Sequence, residues 1–355
     1  MPPPCDALKD HDYTRPAAGN LQDVLRKMRE LATEIQQLTH EKVQPLVYKF
    51  CITDEDIYYY TRFPSKEVFT LFWRSIHPSA SEMAYWPKAQ WTVHESAPPE
   101  QQIAPIDEFF MFLCRIGPGI EEKTLSAIFE VSLSTVTHTI LTWTSYLYQV
   151  LSLLPTWLSK QCIQATMPEK VKVCFPELRV IIDCTEISCE TTSFSKCEKK
   201  SSFKGLIGIA PCGLITFISS LYTNSASDQA VTKRSKLLHL LQPGDGVMAD
   251  ERFVNKKMAE DVGATLILPS LNTPQQNSKD TQKTQVVSCL RSLAERVKLR
   301  VKEYHIWDNP VPLYMTGSVN QLWVVCCLLS NYQGPLDIKG HISLTEHYCH
   351  SCQHS

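Results

Sequence analysis

The sequence predicts an α/β domain, a mixed five-stranded sheet flanked by helices, preceded by an all-α region. Three observations carry this. From Arg179 onward apolar residues fall into short β-branched runs bounded by turn residues, these runs alternate with helix-period stretches, and upstream of Ser159 the helical period prevails. The 355 residues, 43% hydrophobic and 20% charged, suit two globular domains plus a terminal helix. The division expected is a helix at 18–44, a helical region at 46–160, the sheet domain at 161–335 and a disordered tail at 336–355.

The first element is a helix. Leu21, Val24, Met28, Leu31, Ile35 and Leu38 alternate spacings of three and four, with Asn20 as N-cap and Pro45 closing the stretch. That pattern allows a dimer zipper through Leu21–Leu38 or an amphipathic helix docked on its own domain. Next, Ser65 is placed to cap a helix carrying Val68, Phe69, Phe72 and Trp73. From His77 to Pro105 proline, serine and alanine accumulate without a period, which predicts an irregular connector.

Helical signals return at Ile106–Ile116 and resume with Leu125, Ile128 and Phe129. A tight turn, Glu130-Val131-Ser132, leads into a second helix beginning Leu133-Ser134-Thr135-Val136-Thr137-His138. Two short helices around a three-residue turn are the pattern of a helix-turn-helix, at about 106–147. Ser134, Thr135, Thr137 and His138 are its candidate base contacts. The stretch from Thr124 to Ser159 has no lysine or arginine, although phosphate contacts normally supply most of the affinity. A purely structural helix pair stays open as the alternative.

The strand runs are Val180 to Asp183, Leu206 to Ile209, Leu214 to Leu221, Gly246 to Asp250 and Thr265 to Leu268. The first three are joined so closely that they should form an antiparallel meander. A helix opened by Asn224–Asp228 then returns the chain right-handed, so that the strand ending in Asp250 lies parallel to the one ending in Asp183. This is a ribonuclease-H-like arrangement. Asn272 to Lys283 is polar and expected to be a flexible loop. The last helix of the domain has an apolar stripe, Val287, Leu290, Ala294, Val297 and Val301, with Arg291, Glu295, Lys298 and Lys302 beside it.

Cutting a phosphodiester requires an activated water and neutralisation of the leaving oxygen, and carboxylates on rigid elements can hold the hard cations that do both. Asp183 and Asp250 each end an apolar strand, where an isolated charge is costly, and Glu295 can reach the same end of the sheet. The bland alternative is that these are surface acids, Glu295 pairing with Arg291 one turn before it.

Leu178–Ile187, Phe203–Ile209, Thr216–Ser219 with Ser227-Asp228, Val247–Asp250, Arg291 with Glu295-Arg296, His305–Asp308 and Val319–Trp323 together resemble the DDE-superfamily endonuclease domain of Harbinger-like eukaryotic DNA transposases. Upstream, Glu108–Arg115 and Val131–Val136 look like that family's helix-turn-helix segment. The resemblance implies a divalent-metal-dependent nuclease, using Mg²⁺ or Mn²⁺, that cuts DNA and joins the freed 3′-hydroxyl to a target. It makes Asp183, Asp250 and Glu295 the catalytic metal ligands and Asp228 an outer-shell candidate. Relatives usually have a glycine two residues after the second acid, where this chain has Arg252. The block before Phe203 and the pair Ser292-Leu293 also depart from the family pattern. A catalytically silent descendant, acting as a DNA- or protein-binding module, is the alternative reading.

Net charge is −2, so binding to nucleic acid must come from local basic patches. Lys199, Lys200, Lys204 and Lys298 are candidate phosphate contacts, against a solvated basic surface. The fourteen cysteines show no repeating spacing, and the first residues read as neither a secretory nor a membrane signal, so reduced thiols and a nuclear, possibly also cytoplasmic, protein are expected. No membrane segment is expected, and a separate DNA-binding partner would supply the zinc-binding module that relatives often carry. In the tail, Cys349 and Cys352 with neighbouring histidines form only a weak zinc-like pattern.

Overall fold

Six strands form one mixed sheet: β1 (Leu178–Cys189), β2 (Ser201–Ile209), β3 (Ile215–Ile218), β4 (Tyr222–Thr223), β5 (Gly246–Met248) and β6 (Thr265–Ile267). Their order is β3-β2-β1-β5-β6, with β4 pairing β2. β1, β2 and β3 are antiparallel neighbours, while β5 runs parallel to β1 and β6 parallel to β5. The computed structural model describes residues 26–31, 44–83, 103–190, 201–268 and 278–336.

This is the predicted ribonuclease-H-like sheet with one more strand than expected, the two-residue β4. β1 is also longer than its apolar run, because the polar residues from Cys184 to Cys189 continue the ladder with β2 down to Ser201. Asp183 is therefore inside a strand, not at its end. The turn between β2 and β3 uses Gly213 at φ 93°, a left-handed conformation that favours glycine.

The helices, in chain order, are α1 (Leu46–Phe50), α2 (Asp54–Thr61), α3 (Lys66–Met83), α4 (Pro105–Ile116), α5 (Glu122–Phe129), α6 (Leu133–Ser152), α7 (Lys160–Thr166), α8 (Glu169–Cys174), α9 (Asp228–Arg234), α10 (Lys256–Glu260), α11 (Ser278–Lys302) and α12 (Val319–Ser330). α3 runs on through Pro78, so residues 77–83 are helical rather than irregular. Likewise 278–283, expected as loop, open α11. Residues 84–102 of the proposed connector, the tail after Leu336 and most of the Leu21–Leu38 stretch lie outside the described residues, and Pro105 opens α4.

The chain divides into two compact units, Met1–Lys49 and Phe50–Ser355. In the first, residues 26–31 are helical and Met28 and Leu31 are exposed. In the second, the helical region and the sheet share one unit. Its helical part is built on aromatic packing: Phe109 of α4 stacks on Phe69 and Phe72 of α3 and meets Trp143 of α6. α12 packs against both α6 and β3. No helix among the described residues is long and apolar enough to cross a membrane, and the described cysteines are free thiols.

Side chains alternate across β1 and so sort the two faces of the sheet. Val180, Ile182 and Leu206 join Val231 of α9 and Met258 of α10 in one core. The opposite face, which carries Ile181 and Asp183, is covered by α11, whose stripe of Val287, Leu290, Ala294, Val297 and Val301 is buried as the periodicity predicts.

Candidate active site

The β1–β5 ladder ends at the pair Ile181–Met248. Asp183 and Asp250 each come two residues later, so the two carboxylates stand at one level where the parallel strands stop pairing. Glu295 of α11 lines the same cleft, which has a volume of about 420 Å³ and is walled by Ile181, Met248 and Ala294. The three acids that the sequence singled out are thus brought to one place.

Each of them is already met by a cation or amide of the chain. Lys298 Nζ lies 3.1 Å from Asp183 Oδ2 and 2.9 Å from Glu295 Oε2. Asp183 Oδ1 accepts from the Cys184 amide at 2.7 Å. Asp250 Oδ2 is 3.3 Å from Arg252 Nε, and its Oδ1 accepts from the Arg252 amide at 3.0 Å. The two ion pairs differ in kind. Lys298 and Asp183 are only 20% and 18% exposed, whereas Arg252 is 69% exposed and Asp250 47%, so solvent screens the second pair far more.

Burial of Lys298 works against its charge, but hydrogen bonds and charges from Glu295 and Asp183 outweigh that and raise its pKa above the ordinary lysine value. The expected exposed phosphate contact is therefore a side chain bound between two acids. Glu295 pairs with Lys298, three residues on, rather than with Arg291, which is exposed on the cleft wall.

Asp228 is not beside this cleft. It is the first residue of α9, which Ser227 caps, on the other face of the sheet, where its Oδ1 lies 2.9 Å from Lys204 Nζ. The reason is parity: Lys204 faces Glu186 across the ladder, and even-numbered positions of β1 point away from α11. Both the outer-shell role for Asp228 and the phosphate role for Lys204 are thereby corrected, since Lys204 is largely buried and ion-paired. Its pKa is raised by the hydrogen bond it donates to Asp228. Lys199 and Lys200 lie outside the described residues. Cys184 points to that same face, and burial, together with the charges of Asp228 and Asp183, pushes its thiol up to about 12, which makes it a poor nucleophile.

In the helix pair, Ser132 caps α6 by accepting from the Thr135 amide at 3.1 Å. Ser134 and His138 are exposed, Thr135 is half-buried and hydrogen-bonded to Ser132, and Thr137 donates to Glu122 of α5 at 2.5 Å.

The donor set suits a hard divalent cation in chemistry, since carboxylate oxygens are its preferred ligands. Lys298 is a stand-in ion that shows Asp183 and Glu295 converging on one cation position. As the side chains stand, no three His, Cys, Asp or Glu among the described residues lie close enough to hold one metal jointly. Lys298, read from the sequence as a phosphate contact, and Arg291, read as a partner of Glu295, are in the site in other roles. The i, i+3 spacing of Glu295 and Lys298 was the available signal.

No curated protein matches the chain. A solved structure described as a pre-cleavage Mos1 transpososome aligns with a TM-score of 0.20 and 9% identity, covering 68% of this chain and 82% of that one, a likeness too loose to bear on the fold. Residues 182–331 match the model of the family described as DDE superfamily endonuclease. That span takes in Asp183, Asp250 and Glu295, and over it, somewhat less than half of its length, the chain is similar to that family.

Proposed function

We propose that the chain is a Harbinger-like, transposase-derived DNA nuclease whose cleft takes a phosphodiester, with Asp183, Asp250 and Glu295 as its metal ligands. The observation that supports this best is the common level of Asp183 and Asp250 at the end of the β1–β5 ladder, with Glu295 on the same cleft. Mg²⁺ or Mn²⁺, when bound, would supply the Lewis acid and the activated water. The chain's own contribution is position: two acids on rigid strands, a third on the covering helix, and Arg291 on the cleft wall to meet a phosphate.

Around this site the reading adds a helix-turn-helix at α5–α6, with Ser134, Thr135 and His138 turned to DNA. It also adds a homodimer through Leu21–Leu38, a separate DNA-binding partner and nuclear residence. Purified protein incubated with supercoiled plasmid and Mg²⁺ or Mn²⁺ is expected to nick it. Nicking should vanish in Asp183→Ala and Glu295→Ala, and failure of well-folded wild-type protein to cut would sink the nuclease reading. A silent binding module is the second reading, favoured by the ion pairs that Lys298 and Arg252 make with all three acids. It predicts DNA retention in a gel-shift assay without nicking.

A further inference from the structure

We propose that Lys298 is a tethered counter-ion that occupies the cation position shared by Asp183 and Glu295, so that a divalent metal enters only by displacing it. This rests on the reading of those acids as metal ligands. A divalent ion bridging Asp183 and Glu295 would need the space between Asp183 Oδ2 and Glu295 Oε2, and Lys298 Nζ is already there, 3.1 Å from one and 2.9 Å from the other. The ammonium is not a passing surface charge. Its side chain is 20% exposed, it is one helical turn from Glu295 on α11, and Val297 and Val301 anchor that helix to the core.

A cation carried on the same helix competes as an intramolecular ligand, with an effective concentration on the millimolar scale or above. Free metal must exceed that competition before both carboxylates are released. The other cation at the cleft is differently placed: Arg252 is 69% exposed and reaches Asp250 alone, so it blocks no shared position. Lys298 therefore sets how much metal the site requires.

The test is Mn²⁺ uptake by the full chain, read from the loss of the free Mn²⁺ resonance in solution, for wild type, Lys298→Met, Lys298→Gln and Lys302→Met. Lys302→Met removes the same charge from the exposed end of α11 and controls for net charge. Lys298→Gln serves should the apolar replacement perturb folding, which circular dichroism would reveal. The expected result is uptake at least about tenfold tighter in both Lys298 variants than in wild type. Lys302→Met should match wild type, and a second change, Asp183→Asn, should cancel the gain. Equal uptake in wild type and the Lys298 variants, lost on Asp183→Asn, would overturn the counter-ion role while leaving the acids as ligands. No uptake in any folded variant would overturn the counter-ion role and the metal-site reading together.

Discussion

Gly205 of β2 lies against the indole of Trp323 so closely that a Cβ there would come within 2.6 Å of a ring carbon. Trp323 is fully buried and donates through Nε1 to the Ser219 carbonyl at 3.0 Å, so the ring has no room to retreat. Gly205→Ala is expected to destabilise the protein by about 1–3 kcal/mol through overpacking. A lowered urea midpoint with unchanged slope would report it, and an unchanged midpoint would show that the ring can move.

Beneath the other end of the sheet, Asp245 is 3% exposed and meets Lys160 Nζ at 2.9 Å and Arg179 Nε at 3.8 Å. Arg179 is itself buried and stacks over Trp157 at 4.9 Å. Asp245→Ala leaves that guanidinium without its counter-charge. The expected cost is about 3–5 kcal/mol, measured by equilibrium denaturation. A double change, Asp245→Ala with Arg179→Met, should recover part of the loss.

Glu108 sits beside the aromatic cluster, its Oε2 accepting from Trp143 Nε1 at 3.2 Å. Burial raises its carboxyl pKa, opposed by that hydrogen bond. An acid whose folded pKa lies above its unfolded value binds more protons when folded. Its stabilising effect is therefore full below the unfolded pKa and declines as pH rises through the folded one. Glu108→Gln should raise the melting temperature more at pH 7 than at pH 4. Equal gains at both pH values would refute the assignment.

The cap of α6 gives a smaller effect. Ser132 satisfies the Thr135 amide, and Ser132→Ala should cost about 0.5–2 kcal/mol by the same denaturation assay.

The core strands were legible because Val180, Ile181, Ile182, Val247 and Met248 form apolar runs that few other structures would explain. The remainder of β1 was not, since Thr185, Glu186 and Ser188 belong to a strand only because β2 pairs with them. Polar α11 residues before Val286 hid the start of a helix held by its later stripe. Asp183 and Asp250 could be read as site residues from the apolar runs that they end. The place of Lys298 between two acids could not, because it depends on how α11 is rotated over the sheet. Asp228, carried over from the resemblance, and Lys204, taken from a cluster of lysines, were misplaced for a related reason: neither a motif nor a charge says which face of β1 a side chain shares.

The parallel ladder stops at Met248 while β1 continues to Cys189, so the sheet forks at the cleft. The spacing between Asp183 and Asp250 is consequently set by how far two backbones diverge, not by side-chain reach. Lengthening either acid by one methylene leaves that divergence untouched. Moving the fork by a single ladder pair, in contrast, would shift both carboxylates at once, which makes strand register the coarse adjustment of this site and side-chain choice the fine one.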